Sequence, residues 1–325
     1  FGGTPVLITT LQGGDARLRR WSKDGARIYY EVKRNLFALD VNSGQTTQLT
    51  TLNSSNINPD SMSLSPDEKH VAYISTTQDG RSSVWIAAVS GGAPKEIAND
   101  AGHNRNTVWH PDSKRVLYSS NVDGVYQIFA ASIEGRKPAQ ITSGDVNSFA
   151  LDVSPDGARI LFGSTKEESD VWGVNLAGGE DFALTSDLGA ELWPDVSPDG
   201  KRIVYQAVRN LSQGDKISNC AILSRQLNSS GAEEASRLAD DGALPKWSPD
   251  GKQVAFMQLV GQAQSLWTVN VGDGGKKQLA TGTLSSIEYT FLPYLRVQAS
   301  SFSWSPDSKS IAYSDMKNRI VMVDV

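Results

Sequence analysis

The sequence contains one cysteine and no hydrophobic run of the length that spans a bilayer. The lone Cys220 excludes an intrachain disulfide and a cluster of thiolate metal ligands, and it is compatible with either the cytoplasm or a bacterial periplasm. Because a membrane-spanning helix needs about 18 or more apolar residues, no membrane insertion is predicted. The chain begins at Phe1 without a signal peptide, so we expect a processed chain or a domain of a longer protein.

Positive charge is in slight deficit. The 325 residues include 31 lysines and arginines against 36 acidic residues, which gives a net charge of −5. A protein that binds nucleic acid needs a basic face to displace counterions from phosphates, and no dense run of lysine and arginine occurs here. The local group Arg17, Arg19 and Arg20 is interpreted as solvated charge. The sequence therefore predicts no binding to nucleic acid or to a membrane surface.

Catalytic signatures are missing as well. The sequence has no Gly-x-Ser-x-Gly nucleophile elbow and no glycine-rich phosphate loop between a strand and a helix. The three histidines, His70, His103 and His110, do not have the spacing of a metal site. We predict no catalytic residue, no metal and no cofactor. His103 lies in a predicted loop with Asn104 and Arg105 and is kept as a candidate ligand contact.

What the sequence does contain is a short motif that occurs seven times. The second residues of successive copies are separated by 43, 45, 44, 43, 51 and 57 residues. These spacings indicate a regular unit with two late insertions. Proline fixes φ at the first corner of a tight turn, aspartate accepts hydrogen bonds from backbone amides two residues on, and glycine adopts positive φ. We interpret the acidic residues as turn residues, because seven identical turns cannot carry seven copies of one active site. The motifs are WSKDG at 21–25, LSPDE at 64–68, WHPDS at 109–113, VSPDG at 153–157 and at 196–200, WSPDG at 247–251, and WSPDS at 304–308.

Each repeat contains the material for four strands. The motif is followed by an apolar run such as His70–Thr76, a polar hairpin turn, a β-branched and aromatic run such as Val84–Val89, and a closing strand that ends in Leu-Thr or a similar pair. Seven such units predict an all-β fold, a seven-bladed β-propeller of four-stranded antiparallel blades. The recurrent aromatic residues, such as Trp85, Trp172 and Trp267 in third strands, are interpreted as blade packing.

These repeats resemble the TolB-type propeller family, whose unit is a Trp-Ser-Pro-Asp-Gly-Lys turn followed by Ile-Ala-Phe/Tyr, Ile-Tyr/Trp and Leu-Thr. The resemblance covers essentially the whole chain. It implies a bacterial protein, since such propellers accompany transport, envelope or signalling modules. Some TolB-like folds are lyases that use clustered histidines with a metal. That motif finds no match in this sequence, so the activity is not carried over.

The two ends of the chain complement each other. Residues 2–9 resemble the end of a repeat, and the C-terminal Met322–Val325 stops where a third strand should end. We therefore predict a single domain over residues 1–325, in which residues 5–10 complete blade seven beside Arg319–Val325 and close the ring. The blades are expected to begin near residues 17, 60, 104, 148, 191, 243 and 299.

Loops at one face of a propeller form a funnel around its channel, which is the default place for a ligand. The last long spacing adds an aromatic-rich insert at 285–300, which either packs back on the funnel as a plug or is an exposed anchor for a partner. The predicted contact residues are Arg17, Asn56, Asn58, His103, Arg105, Asn147, Glu191, Trp193, Tyr289, Phe291 and Tyr294.

Three functions remain open at this point. The first is a non-catalytic binding propeller, the sensor or protein-interaction domain of a larger bacterial envelope or signalling protein. It would be periplasmic or otherwise extracytoplasmic, free or tethered through a missing N-terminal segment, and monomeric as an isolated domain. It would bind a protein or a small molecule at the channel mouth.

The second is the substrate-gating propeller of a serine peptidase resembling the prolyl oligopeptidase or tricorn groups, with its catalytic domain outside this chain. The third is a propeller enzyme that acts on sugars. The missing catalytic signatures favour the first.

Overall fold

The computed structural model describes residues 4–11, 16–52, 59–77, 81–100, 102–165, 169–176, 181–185, 190–208, 220–227, 235–260, 263–281, 302–315 and 319–325. Every regular element in these ranges is a β-strand. The strands form seven four-stranded antiparallel blades, and the protein is a seven-bladed β-propeller, as the repeats predict.

The N-terminal strand β1 (Val6–Thr10) precedes blade one. Blade one contains β2 (Arg17–Trp21), β3 (Arg27–Val32), β4 (Asn35–Asp40) and β5 (Thr46–Gln48). Blade two contains β6 (Pro59–Leu64), β7 (His70–Thr76), β8 (Ser82–Ala88) and β9 (Lys95–Ala98). Blade three contains β10 (Asn104–Trp109), β11 (Arg115–Ser120), β12 (Gln127–Ser132) and β13 (Ala139–Gln140).

The later blades follow the same plan. Blade four contains β14 (Asn147–Val153), β15 (Arg159–Thr165), β16 (Ser169–Asn175) and β17 (Phe182–Ala183). Blade five contains β18 (Ala190–Val196), β19 (Arg202–Val208), β20 (Cys220–Gln226) and β21 (Ser236–Asp240). Blade six contains β22 (Gly242–Trp247), β23 (Gln253–Val260), β24 (Ala263–Asn270) and β25 (Lys276–Thr281). Blade seven contains β26 (Phe302–Trp304), β27 (Ser310–Ser314) and β28 (Arg319–Asp324), together with β1. Blades one to six begin within one residue of the predicted positions, and the described part of blade seven begins at Phe302.

Blade seven takes its outermost strand from the other end of the chain. Its strand order is β1-β28-β27-β26, and β1 pairs antiparallel with β28, with Val6 opposite Met322 and Thr10 opposite Arg319. The predicted closing strand is therefore confirmed. Blades four and five share one sheet through a parallel bridge between Ser169 and Ala190.

The described chain divides into two compact units, residues 1–51 with 246–325 and residues 52–245. In the first unit, one apolar cluster joins blades one and seven, with Leu18 and Ile28 packed together with Ile320. In the second unit, similar clusters join neighbouring blades, such as Val84 of blade two with Tyr118 of blade three. In each unit the core thus lies between the faces of adjacent blades.

The recurrent aromatic residues form cross-strand pairs in the middle of the blades. Residues directly opposite each other on antiparallel strands share a face, so each pair adds packing area on one side of its sheet. The prediction that these residues pack the blades is confirmed for the three third-strand tryptophans. The pairs are Tyr30 with Phe37, Tyr73 with Trp85, Tyr118 with Phe129, Phe162 with Trp172 and Phe256 with Trp267.

The repeated motif makes the same hydrogen bonds in six of the seven turns. In the turn after β14, the Ser154 hydroxyl donates to Asp156 Oδ1 (2.5 Å) and accepts from the Arg159 amide (2.9 Å), while Asp156 Oδ1 also accepts from the Ala158 amide (2.9 Å). The predicted turn role of the acidic residues is therefore confirmed. The equivalent serines are Ser22, Ser65, Ser197, Ser248 and Ser305.

Other motif positions link one blade to the next. The Trp109 indole donates to the Ser63 carbonyl (3.0 Å), and the Ser113 hydroxyl accepts from the Asp67 amide (3.0 Å), so both join blade three to blade two. The same pair of bonds recurs between blades seven and six, where Trp304 donates to the Lys246 carbonyl (3.2 Å) and Ser308 accepts from the Asp250 amide. The motif therefore stabilises its own turn and fixes neighbouring blades together.

Candidate functional site

Five of the predicted contact residues lie outside the described residues. They are Asn56, Asn58, Tyr289, Phe291 and Tyr294.

Three further predicted residues are dispersed over first strands. Arg17 opens β2 and is exposed. Glu191 in β18 is only 2% exposed. Trp193, two residues further along, is half-buried and has a φ of 55°, which only a minority of non-glycine residues adopt. It lies within a β-bulge of that strand, between Leu192 and Asp195.

Of the other three, Arg105 and Asn147 are brought together around Tyr126, whereas His103 is linked to the same loop through Asn121. The Arg105 guanidinium carbon lies 5.0 Å from the centre of the Tyr126 ring. That ring lies 5.1 Å from the Phe149 ring, tilted by 41°. We call Arg105, Tyr126, Asn147 and Phe149 the Tyr126 patch, and all four side chains are half-buried, so each keeps surface in contact with solvent.

A β-bulge in β10 directs Arg105 toward this patch. Arg105 pairs with Ser119 and Thr107 pairs with Tyr118, so the extra residue Asn106, with a φ of 52°, stands between them. In a regular strand, residues two apart share a face, whereas here the bulge puts Arg105 and Thr107 on opposite faces. Thr107 contacts the Ser63 hydroxyl of blade two at 2.8 Å, and Arg105 faces away from that contact.

Backbone hydrogen bonds hold Tyr126 against the first strand of blade four. The Asn147 side chain accepts a hydrogen bond from the Tyr126 amide (3.1 Å), and the Ser148 amide donates to the Tyr126 carbonyl (2.8 Å). Both backbone groups of Tyr126 are therefore fixed. As a result, the hairpin loop between β11 and β12 presents the ring from a fixed stretch of backbone.

The residues beneath the patch form a buried polar network. The Gln127 side chain donates to the carbonyls of Gly144 (3.2 Å) and Val146 (3.1 Å) in the connection between blades three and four. It accepts from the Thr142 hydroxyl (2.7 Å), which in turn accepts from the Ile128 amide (2.9 Å). These bonds fix the loop that leads into Asn147, so the patch rests on ordered backbone.

His103 lies at the rim of the same region. Its amide donates to the Asn121 side chain (2.7 Å), and its carbonyl accepts from the Asn121 amide (3.4 Å). Its ring is exposed. Asn121 and Tyr126 belong to one loop, which connects His103 to the patch through the backbone.

The chemistry of the patch is that of recognition. It offers a guanidinium, an amide and two aromatic faces. A cation over an aromatic ring contributes about 0.5–1 kcal/mol at such a partly exposed site, which favours a fixed arginine over a freely rotating one. Trp, Tyr and Arg are the residues that most often dominate binding energy at protein interfaces.

Sequence reasoning missed Tyr126, Phe149 and Asn121. The sequence predicts residues 122–124 to be a hairpin turn like those of the other repeats, and nothing in the repeat shows that Tyr126 contacts the following blade. The signal that was available is an aromatic residue two places after that turn, immediately before the third strand.

Among the residues that the structure describes, no three histidine, cysteine, aspartate or glutamate side chains are grouped as they would be around a metal ion. Within the same ranges there is no helix long and apolar enough to cross a membrane.

Comparison with known proteins points to one family. Residues 60–285 match the family described as the TolB beta propeller domain. A curated relative, the uncharacterized protein Atu1656 of Agrobacterium fabrum, is 23% identical over 246 residues, which is 73% of this chain and 83% of that protein.

Solved structures with the same fold have diverse roles. TolB from Acinetobacter baumannii superimposes with a TM-score of 0.54 at 20% identity, over 80% of this chain and 62% of that one. An oligogalacturonate lyase from Vibrio parahaemolyticus superimposes with a TM-score of 0.73 at 13% identity, over 99% of this chain and 94% of that one. At these identities the likeness shows the fold alone, because one propeller fold serves many functions.

Proposed function

Because the chain belongs to the TolB beta propeller family, we propose that it is a non-catalytic binding propeller of a bacterial envelope or signalling protein. We propose further that it binds a protein partner through the Tyr126 patch. The observation that carries this proposal is the Arg105–Tyr126–Phe149 arrangement, in which a cation and two rings are held together and left half-exposed.

The patch defines what the partner should present. Arg105 suits a carbonyl or carboxylate acceptor, and the two rings suit an apolar or aromatic side chain. The backbone beneath the patch is already ordered by hydrogen bonds, so binding costs little backbone entropy there, and a small area can contribute a large share of the affinity.

Photo-crosslinking in cells of the source organism tests the interaction. A photoreactive amino acid replaces Val122, which is 40% exposed in the same loop as Tyr126, and in a second strain it replaces Ser90. Ser90 is exposed in a turn between the third and fourth strands of blade two, at the opposite end of the strands. We expect a discrete crosslinked protein from position 122 and none from position 90.

The Arg105→Ala variant, which removes the guanidinium from the patch, should abolish that crosslink. Arg136→Ala is the matched control, because Arg136 lies in the turn between β12 and β13 and its side chain is 80% exposed beside Glu134. The proposal is contradicted if the crosslink from position 122 survives Arg105→Ala, or if an equal crosslink forms from position 90. It is also contradicted if position 122 gives no crosslink.

The proposed location outside the cytoplasm has its own test. The family resemblance supports it, and Cys220 is buried, as expected of a cysteine with a structural role. A topology reporter fused to the C-terminus of the full-length gene product should be active in the periplasm. Activity of a cytoplasmic reporter at the same position would contradict this part of the proposal.

The non-catalytic character is tested against the enzyme whose fold is similar. The purified protein is incubated with oligogalacturonate in the presence of Mn²⁺ or Ca²⁺, and unsaturated products are followed by ultraviolet absorbance. We expect no product above the protein-free control. Steady formation of unsaturated product would overturn the claim. The peptidase alternative stays a prediction, and a hydrolase domain encoded in the same gene would support it.

A further inference from the structure

Blade seven lacks an aromatic residue that most other blades have. In five blades the second-strand aromatic residue lies opposite an aromatic residue of the third strand, but in blade seven Tyr313 lies opposite Val321. On the neighbouring strand β1, Leu7 pairs with Val321, so Tyr313, Val321 and Leu7 form a row across the three strands. A valine in place of a tryptophan or phenylalanine leaves volume unfilled on that face of the sheet.

A cavity of about 420 Å³ occupies this place, within the range of small-molecule sites. One wall is the face of blade seven, with Leu7, Tyr313 and Val321. The opposite wall is the end of β25, residues 278–281. The cavity is thus bounded by neighbouring outer parts of blades six and seven, and none of the residues of the Tyr126 patch lines it.

An ion pair unique to blade seven lies at one end of the cavity. Asp315 is ten residues after the motif serine, where the other blades have Val32, Ser75, Ser120, Ser164, Ala207 and Gln258. The Asp315 side chain is 1% exposed, and its Oδ2 accepts from Arg319 Nε (2.7 Å) and from one terminal nitrogen of Arg319 (2.6 Å). Its Oδ1 accepts from the Arg319 amide (3.0 Å).

This geometry saturates the carboxylate and leaves donors on the arginine. The second terminal nitrogen of Arg319 has no hydrogen-bond partner among the described residues, and the side chain is 33% exposed. Arg319 lines the cavity, so its remaining N–H groups are available to an acceptor there.

A second donor is the Tyr313 hydroxyl. Tyr313 is only 5% exposed, and its hydroxyl makes no hydrogen bond within the described part of the chain. At the same place in blade three, the Tyr118 hydroxyl donates to Asp100 Oδ2 (3.0 Å). A tyrosine hydroxyl can donate one hydrogen bond, so the cavity-lining Tyr313 is a natural contact for a bound molecule.

We propose that this cavity binds a small neutral molecule that has hydrogen-bond acceptors at one end and an apolar group at the other. The acceptors meet Tyr313 and Arg319, and the apolar group packs on Leu7 and Val321. A neutral ligand fits because Asp315 already balances the charge of Arg319, so a further buried charge would be uncompensated.

Ligand-observed saturation-transfer NMR with N-acetyl-leucinamide tests the site, since this probe is neutral and has two carbonyls and an isobutyl group. We expect binding at millimolar concentration. N-acetylleucine, which differs by a carboxylate, should bind at least tenfold more weakly. Absence of binding by the amide, or equal binding of the acid, overturns the proposal.

Two pairs of variants locate the binding. Leu7→Trp fills the mouth of the cavity and should abolish the signal, whereas Val6→Trp should not, because Val6 is similarly exposed (54% against 49%) but lies on the opposite face of β1. Equal binding by both variants, each with an unchanged melting temperature, overturns the assignment.

The second pair removes one hydroxyl from each of two blades. Tyr313→Phe should weaken binding about fivefold, as expected for one lost hydrogen bond. Tyr73→Phe should leave it unchanged, because the Tyr73 hydroxyl has the same position in blade two and is buried there without a hydrogen-bond partner among the described residues. A Tyr313→Phe variant that binds like the unaltered protein overturns the contact.

Discussion

Blades three and seven have the same arrangement of strands but differ in the side chains that pack on them. In blade three, Tyr118 stacks on Phe129 with ring centres 5.8 Å apart, and its hydroxyl is bonded to Asp100. In blade seven, Tyr313 lies opposite Val321 beside a cavity of about 420 Å³. The second and third strands pair in the same antiparallel way in the two blades, so the aromatic row is not needed to form a blade. It determines how completely the space beside the blade is filled.

The outermost strands of the two blades differ as well. In blade three the fourth strand, β13, has two residues and directly follows β12 in the sequence. In blade seven the outermost strand is β1, which has five residues and comes from the N-terminus. Blade seven therefore depends on a pairing between distant parts of the sequence, whereas blade three is complete within one repeat.

The largest expected effect follows from this difference. Deletion of residues 1–10 removes β1 and leaves β28 as an unpaired edge, so we expect a loss on the order of 4 kcal/mol in the free energy of unfolding. Denaturant titration followed by circular dichroism measures it. Val6→Ser is the control: Val6 is 54% exposed, so this variant should change stability by less than about 0.5 kcal/mol. A deletion variant with the stability of the intact chain would show that β1 does not close the blade.

The second prediction truncates the aromatic row of blade three. Phe129→Ala removes a ring that is 9% exposed and stacks on Tyr118, and we expect a loss of about 3 kcal/mol. The same titration measures it.

The matched change in blade seven is Val321→Ala. It removes a smaller side chain that already borders a cavity, so we expect a loss of only about 1 kcal/mol. Equal losses in the two blades would mean that the cavity is filled in solution.

The third prediction gives blade seven the aromatic pair that it lacks. Val321→Phe gives blade seven the pair that blade three has, and the added ring occupies existing space, so we expect a gain of about 1 kcal/mol. Thermal unfolding by calorimetry measures the change. Leu39→Phe in β4 is the control, since Leu39 is fully buried and its enlargement should destabilise the protein. A destabilised Val321→Phe variant would contradict the description of the cavity.

Most of the fold could be predicted from the sequence because its determinants are local. The bonds from Ser154 to Asp156 and Arg159 span at most five residues, so the motif that encodes them marks each turn directly. Strand bounds follow from these turns. Closure by β1 was also predictable, because the two termini supply complementary parts of one repeat.

The candidate site was less predictable because its contacts join different repeats. Arg105 and Asn147 belong to blades three and four, and they meet only through Tyr126 in the loop between them. The bulge that directs Arg105 does not single this residue out, because the first strands of blades one, two, four and five have a bulge in the same part. The cavity depends on Val321 being smaller than its equivalents, which alignment of the repeats shows but a search for functional motifs does not.

The smallest effect concerns the turns, which differ between the same two blades. The Ser305 hydroxyl, followed by the Lys309 amide, holds the pKa of Asp307 below its usual 3.8. In blade three, burial alone would raise the pKa of Asp112, but hydrogen bonds from the Lys114 amide and the Arg115 side chain outweigh it, and that pKa is lowered too. His110 replaces the serine there, and its Nε2 donates to the Gly157 carbonyl (3.0 Å), so blade three uses a different side chain for an equivalent turn.

A carboxyl whose pKa is lower in the folded state stabilises the fold fully above its unfolded value near 3.8, and this contribution is lost as pH falls through the folded value. Asp307→Asn should therefore lower stability slightly at pH 7, by well under about 1 kcal/mol because the group is exposed to solvent. The difference from the unaltered protein should shrink as the pH falls below 3.8 toward the lowered folded pKa of Asp307, because protonation of the carboxyl removes its contribution. Melting temperatures between pH 3 and pH 7 measure it, with Asp123→Asn in an exposed loop of blade three as the control. A difference that grows toward low pH would have the wrong sign for a lowered pKa and would remove the turn hydrogen bond from Ser305 as its cause.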